Sequence, residues 1–197
     1  MKKGEIQETL KPIIKIFEEI GISYYIGGSV ASSVYGIART TMDIDLVSNL
    51  NQNHISLLSQ KLKHIYFIDE NMILDALKTG SSFNLIHLET MLKIDVFILR
   101  DREYNKKAFE RRRIDSISDE PDSIQVYLCS AEDSILSKLE WYKSGGCTSE
   151  HQWKDILGVI KVQGDLLDKE YLTNWAEQLE VSDLLKKAMI EGKVEDK

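Results

Sequence analysis

The chain has 197 residues, 43% of them hydrophobic, and a formal net charge of -7. That length and composition suit one sizeable domain, or a compact domain with a smaller appendage, and exclude disorder as the default state. The charge argues against wholesale coating of nucleic acid, and Cys129 and Cys147 are too few and too unpatterned for a disulfide framework or a zinc site. A reducing, cytosolic compartment is therefore expected, with no membrane-spanning run and no targeting segment.

Ile6, Leu10, Ile13, Phe17 and Ile20 recur at helical spacing up to Gly21, so the chain is expected to open with an amphipathic helix interrupted only by Pro12. A first strand follows at Ser23 to Ile26 and runs into Gly27-Gly28-Ser29. A short helix, Ser29 to Tyr35, is expected to start on that turn and end at Gly36. Asp43 to Val47 reads as a second strand and Asn51 to His64 as a helix carrying Ile55, Leu58 and Leu62 on one face. Phe83 to Leu88 and Leu92 to Leu99 read as a hairpin, with Asp95 in the middle of its second strand. A charged segment from Arg100 to Arg113 precedes one more strand, Ser123 to Leu128. Four helices then fill the remainder, at Ala131 to Tyr142, Glu150 to Val162, Lys169 to Leu179 and Ser182 to Glu191. The composition changes near Cys129, dividing a mixed α and β region, 1–128, from a helical C-terminal region, 129–197.

The chemistry concentrates in three segments. Gly27-Gly28-Ser29 lets backbone amides at a helix start close on a phosphate. Asp43 and Asp45 lie two apart on a strand, so both project from the same face and can share a divalent metal. Asp95 supplies a third carboxylate, flanked by Ile94 and Val96 on the opposite face. Arg39, Thr40 and Thr41 would complete the phosphate contacts, although Arg39 has the alternative of pairing with a strand carboxylate. The set reads as a metal and triphosphate site. Three aspartates would bind one or two Mg²⁺ ions, with Mn²⁺ as a substitute, and Asp95 would take the proton of an acceptor hydroxyl.

Other residues draw blander readings. His87, between Ile86 and Leu88, is expected to be a satisfied strand histidine. Trp141, Trp153 and Trp175 sit at helical spacing from apolar neighbours and are expected to anchor the core rather than stack a base. Cys147 should be an exposed loop thiol. The run of Arg100, Arg102, Lys106, Lys107, Arg111, Arg112 and Arg113 could guide an acceptor, but its interleaved acids favour a solvated helix and an edge strand.

Gly27-Gly28-Ser29, Asp43-Ile44-Asp45 and distal Asp95 together resemble the polymerase-beta-like nucleotidyltransferase superfamily, over roughly the first half of the chain. Arg39 to Asp45 and Phe83 to His87 resemble the minimal nucleotidyltransferases and those of type IV toxin and abortive-infection systems. Ala131 to Leu139 and Gln152 to Leu157 are similar to the helices that follow the catalytic domain there. The resemblance implies an α+β class with a mixed β-sheet flanked by helices, Mg²⁺ dependence, and transfer of a nucleoside monophosphate from a triphosphate with release of pyrophosphate. It makes Asp43 and Asp45 the paired metal ligands, Asp95 the third carboxylate and Ser29 the phosphate-binding serine, and it brings Lys138 and Asp155 toward the site. The acceptor stays open among RNA, protein and small molecules, as does a small helical partner protein in a toxin-antitoxin or phage-defence setting. The competing reading is a catalytically inactive, nucleotide-binding regulatory or antitoxin-like protein.

Overall fold

A computed structural model describes residues 3–41, 43–117 and 123–193. Helix α1 (Lys3–Glu19) carries Pro12 and leads through Gly21 to β1 (Tyr24–Ile26), α2 (Gly28–Tyr35) and β2 (Asp43–Ser48). The predicted helix after Asn51 divides into a 3-10 turn, Gln52–His54, and α3 (Ile55–Leu62), because the Asn51 side chain caps the turn by accepting the amide of Asn53. A short strand β3 (Tyr66–Phe67) and helix α4 (Glu70–Thr79) follow, neither of them expected from the sequence. The hairpin is present as β4 (Ser82–His87) and β5 (Lys93–Ile98). The charged segment forms α5 (Glu103–Glu110) and β6 (Arg113–Ser116), and β7 is Gln125–Leu128. The C-terminal helices are α6 (Ala131–Ser144), α7 (Glu150–Gln163), α8 (Lys169–Gln178) and α9 (Ser182–Glu191).

The strands make one seven-stranded sheet in the order β3-β4-β5-β2-β1-β7-β6. It is mixed, with β2 parallel to β5 and β1 parallel to β7, while the other neighbours are antiparallel. Strand alternation separates its two faces. Ile44, Leu46, Ile94 and Val96 are buried in the core, which leaves Asp43, Asp45, Asp95 and Phe97 on the other side. The fold is α+β, as expected from the resemblance.

The C-terminal helices are joined closely to this sheet. Helix α2 lies against β2 and packs on both α6 and α7. Its end abuts α7 backbone to backbone: a Cβ on Gly36 would lie 2.7 Å from the Val159 amide nitrogen, and one on Gly158 would lie 3.2 Å from that of Ile37. Glycine at both positions is what permits the approach. Ser130 caps α6, its hydroxyl accepting the Asp133 amide and donating to the Asp133 carboxylate, so the sequence boundary near Cys129 coincides with a helix start.

Candidate active site

The turn between β1 and α2 fixes the first side of the site. Gly27 spends its amide on the Asp45 carbonyl at 2.9 Å, which ties the turn to β2. Gly28 has φ of 55°, and a Cβ there would lie 1.7 Å from an Asp45 carboxylate oxygen. Only glycine admits both that backbone angle and that contact. The amides of Gly28 and Ser29 stand in the first turn of α2, where amides have no partner within the helix and favour anions.

Register brings the carboxylates together. Asp45 lies directly opposite Asp95 across the β2–β5 ladder, and Asp43 opposite Lys93. Burial raises the Asp45 carboxyl above its ordinary value, and the neighbouring Asp95 and Asp43 push it the same way against Lys138 and Lys93. The three aspartates do not close on one point: among the described residues no three acidic, histidine or cysteine groups surround a common cation position. Lys93 stands between two of them, its ammonium 2.7 Å from Asp95 and 3.5 Å from Asp43. A positive charge at that place and an all-oxygen donor set fit a hard divalent cation such as Mg²⁺.

A second charge cluster lies on the helical side. The Arg39 guanidinium donates to both Asp155 oxygens at 2.7 and 2.8 Å, and to the Ser29 hydroxyl at 2.6 Å. Lys138 donates to Asp155 at 2.8 Å. Burial alone would raise the Asp155 carboxyl, but the hydrogen bonds from Arg39 and Lys138 outweigh it and hold the group below its ordinary value. Arg39 thus pairs with a helix carboxylate, not with one on a strand. Thr41 is buried and donates its hydroxyl to the Asp43 carbonyl at 3.0 Å, so it braces the start of β2.

Between the two clusters opens a cavity of about 580 Å³. Gly27, Gly28, Ser29, Asp45 and Lys138 line one part of it, and Phe97, Tyr104 and Trp141 another. Trp141 corrects the core-anchor expectation: it is 55% exposed and packs edge-on against Phe97 in the cavity wall, because the apolar residues that α6 buries, Ile135, Leu136 and Leu139, lie on its other side. Trp153 and Trp175 are partly buried against the core. His87 is buried, packed on Tyr66 and hydrogen-bonded to Thr90, and Cys147 is exposed. Sequence reasoning missed Lys93, although its place two residues before Asp95 sets it on the same strand face.

No family model matches the chain, and no curated protein matches it. Solved structures do. The solution structure of the antibiotic-resistance factor ANT(2'')-Ia aligns with a TM-score of 0.54 at 13% identity, over 96% of this chain and 97% of that one. A crystal structure of the same factor in complex with adenylyl-2''-tobramycin gives 0.51 at 13% identity, over 91% and 95%. An antigenic nucleotidyltransferase-like protein from Paracoccidioides brasiliensis gives 0.54 at 16% identity, over 100% and 96%. The chain therefore has the nucleotidyltransferase fold, along nearly its whole length.

Proposed function

We propose that this chain is a Mg²⁺-dependent nucleotidyltransferase that moves a nucleoside monophosphate from a triphosphate to an acceptor hydroxyl. One observation carries the reading: Asp45 is held in register with Asp95 and against Gly28, at the first turn of α2 and on the wall of a cavity. Asp43, Asp45 and Asp95 would hold one or two Mg²⁺ ions, with Mn²⁺ as a substitute. Bound there, the metal supplies neutralising charge to the reacting phosphate. The Gly28 and Ser29 amides receive the triphosphate, and Arg39 keeps the Ser29 hydroxyl oriented. Lys138 and Arg39 add positive charge where negative charge develops on the departing pyrophosphate. Asp95 accepts the proton of the acceptor hydroxyl as its oxygen bonds to the α-phosphorus and the bond to pyrophosphate breaks.

In this reading 1–128 is the catalytic domain and 129–197 the helical region that walls the cleft. The neighbouring ANT(2'')-Ia is an antibiotic-resistance factor seen with an adenylylated tobramycin, which supports transfer to an acceptor other than RNA. A toxin-antitoxin or phage-defence setting, with a small helical partner, belongs to the same proposal and is tested by co-purification. No described helix is long and apolar enough to cross a membrane, in keeping with a cytoplasmic enzyme. The decisive experiment titrates each nucleoside triphosphate with Mg²⁺ into the native protein and into Asp45→Asn. Binding should require metal and fail in the variant, with pyrophosphate release falling by about 100- to 1,000-fold. Metal-dependent binding with no transfer by the native protein would instead favour the inactive, regulatory reading.

A further inference from the structure

We infer that the acceptor is a small hydroxylated molecule with an apolar or ring face, seated in the cleft beside the nucleotide, and not a polynucleotide end. The inference rests on the nucleotidyl-transfer reading and concerns the part of the cavity away from the Gly28–Ser29 turn. The whole cavity, nucleotide end included, measures about 580 Å³, which leaves beside a bound nucleotide room for a small molecule only. Phe97 and Trp141 stand with ring centroids 6.2 Å apart, and Trp141 keeps an open indole face although it belongs to a concave wall. Such a face receives a ring or an apolar surface.

The same cavity carries unmet polar demand. Ser134 is 2% exposed, lines the cavity, and its hydroxyl has no hydrogen-bond partner. The side-chain oxygen of Asn105, also on the lining, is buried and unpartnered. Buried polar atoms are costly to leave unpaired, so these two mark where polar groups of a ligand belong. Asn105 Oδ1 accepts only, and the serine hydroxyl can donate or accept. The complementary molecule offers hydroxyl or amine hydrogens along one edge and an apolar face on the other.

A polynucleotide end needs something else, a track of cations available to its phosphates. The run from Arg100 to Arg113 borders this cleft and is the natural candidate, yet every cation in it is engaged within the chain. Arg111 and Arg113 approach buried Glu132 at 3.0 and 3.7 Å. Arg112 donates to the Phe109 carbonyl and stacks on the Phe109 ring, Lys106 pairs with Asp101, and Lys107 with Glu110. Arg100 donates to the Gly80 carbonyl. Arg102, at the cleft itself, is bound to Glu140 at 2.8 Å, which neutralises the wall beside Trp141.

The test supplies native protein, Mg²⁺ and each α-³²P-labelled nucleoside triphosphate with three pools from one bacterial lysate: an ultrafiltrate below 1 kDa, deproteinised RNA, and desalted protein. Label should enter a compound of the ultrafiltrate. Trp141→Ala should lower that transfer at least tenfold, while Lys106→Glu with Lys107→Glu should leave it unchanged. Label entering RNA or protein, or no pool at all while calorimetry still shows the metal–nucleotide complex binding, overturns the inference. So does a tenfold loss from the lysine pair, or full activity of Trp141→Ala. Failure of the nucleotide itself to bind would strike the underlying function, and this inference with it.

Discussion

The two charge clusters beside the cleft are opposite in net sign and different in setting. On the sheet, Asp43, Asp45 and Asp95 have beside them one ammonium, Lys93, which pairs with Asp43 and Asp95; on the helices, one carboxylate, Asp155, holds two cations, Arg39 and Lys138. The side chains of Asp43 and Lys93 are 57% and 39% exposed, whereas Lys138 and Asp155 are 6% and 4% exposed. A buried pair survives only with close, well-directed partners, and the helical cluster has them. The sheet cluster keeps a net negative charge, with Asp43 and Lys93 open to water. Surplus negative and surplus positive charge thus come from two parts of the chain that meet only in the fold, and the proposed function would use the first for a metal and the second for phosphates.

The comparison breaks most severely at Gly28. Alanine there meets an unfavourable backbone angle, costing about 1–2 kcal/mol, and displaces the Asp45 carboxylate. Metal-dependent nucleotide turnover should fall about 100-fold or more, since displacement of a reacting group by an ångström has that scale of effect; pyrophosphate release measures it. Next comes Asp155→Asn, which leaves Lys138 buried without its anion and should cost about 3–5 kcal/mol in denaturant unfolding. That variant also has a pH signature. Because the folded state lowers the Asp155 carboxyl, its contribution is present at neutral pH and lost as pH falls through the folded value, below the ordinary 3.8. The acid limb of the stability curve should therefore be shallower in Asp155→Asn than in the native protein. The smallest effect belongs to Lys93→Met. An exposed pair is worth within about 1 kcal/mol, so removing the tethered ammonium should tighten Mg²⁺ or Mn²⁺ binding by no more than about fivefold in a direct titration.

Much of this arrangement was legible in the sequence because it is local. The β1–Gly-Gly-Ser–α2 unit, the Asp-x-Asp strand and the Asp95 hairpin each declare themselves within a few residues, through alternation or a turn. The four C-terminal helices show in their apolar spacing and in caps such as Ser130 and Ser149. Helix α4 went unread despite its Asp69 cap, since it follows a two-residue strand too short to show a period. What sequence could not give is pairing at long range. Arg39 and Asp155 are 116 residues apart, and only packing of α2 on α7 makes them partners. Trp141 was misjudged for a related reason: helical spacing tells which residues share a stripe, not which stripe meets a cavity.

The Gly36–Gly158 contact gives the cleft a mechanical character. Where two backbones touch without side chains between them, neither can slide without collision, so this seam fixes how the end of α2 sits on α7. Arg39 sits three residues from it and holds both Ser29 and Asp155. A backbone seam this close to Arg39 sets the spacing between the β1–α2 turn and α7, so the linkage of Ser29 to Asp155 through Arg39 is built on main chain and not on side-chain packing.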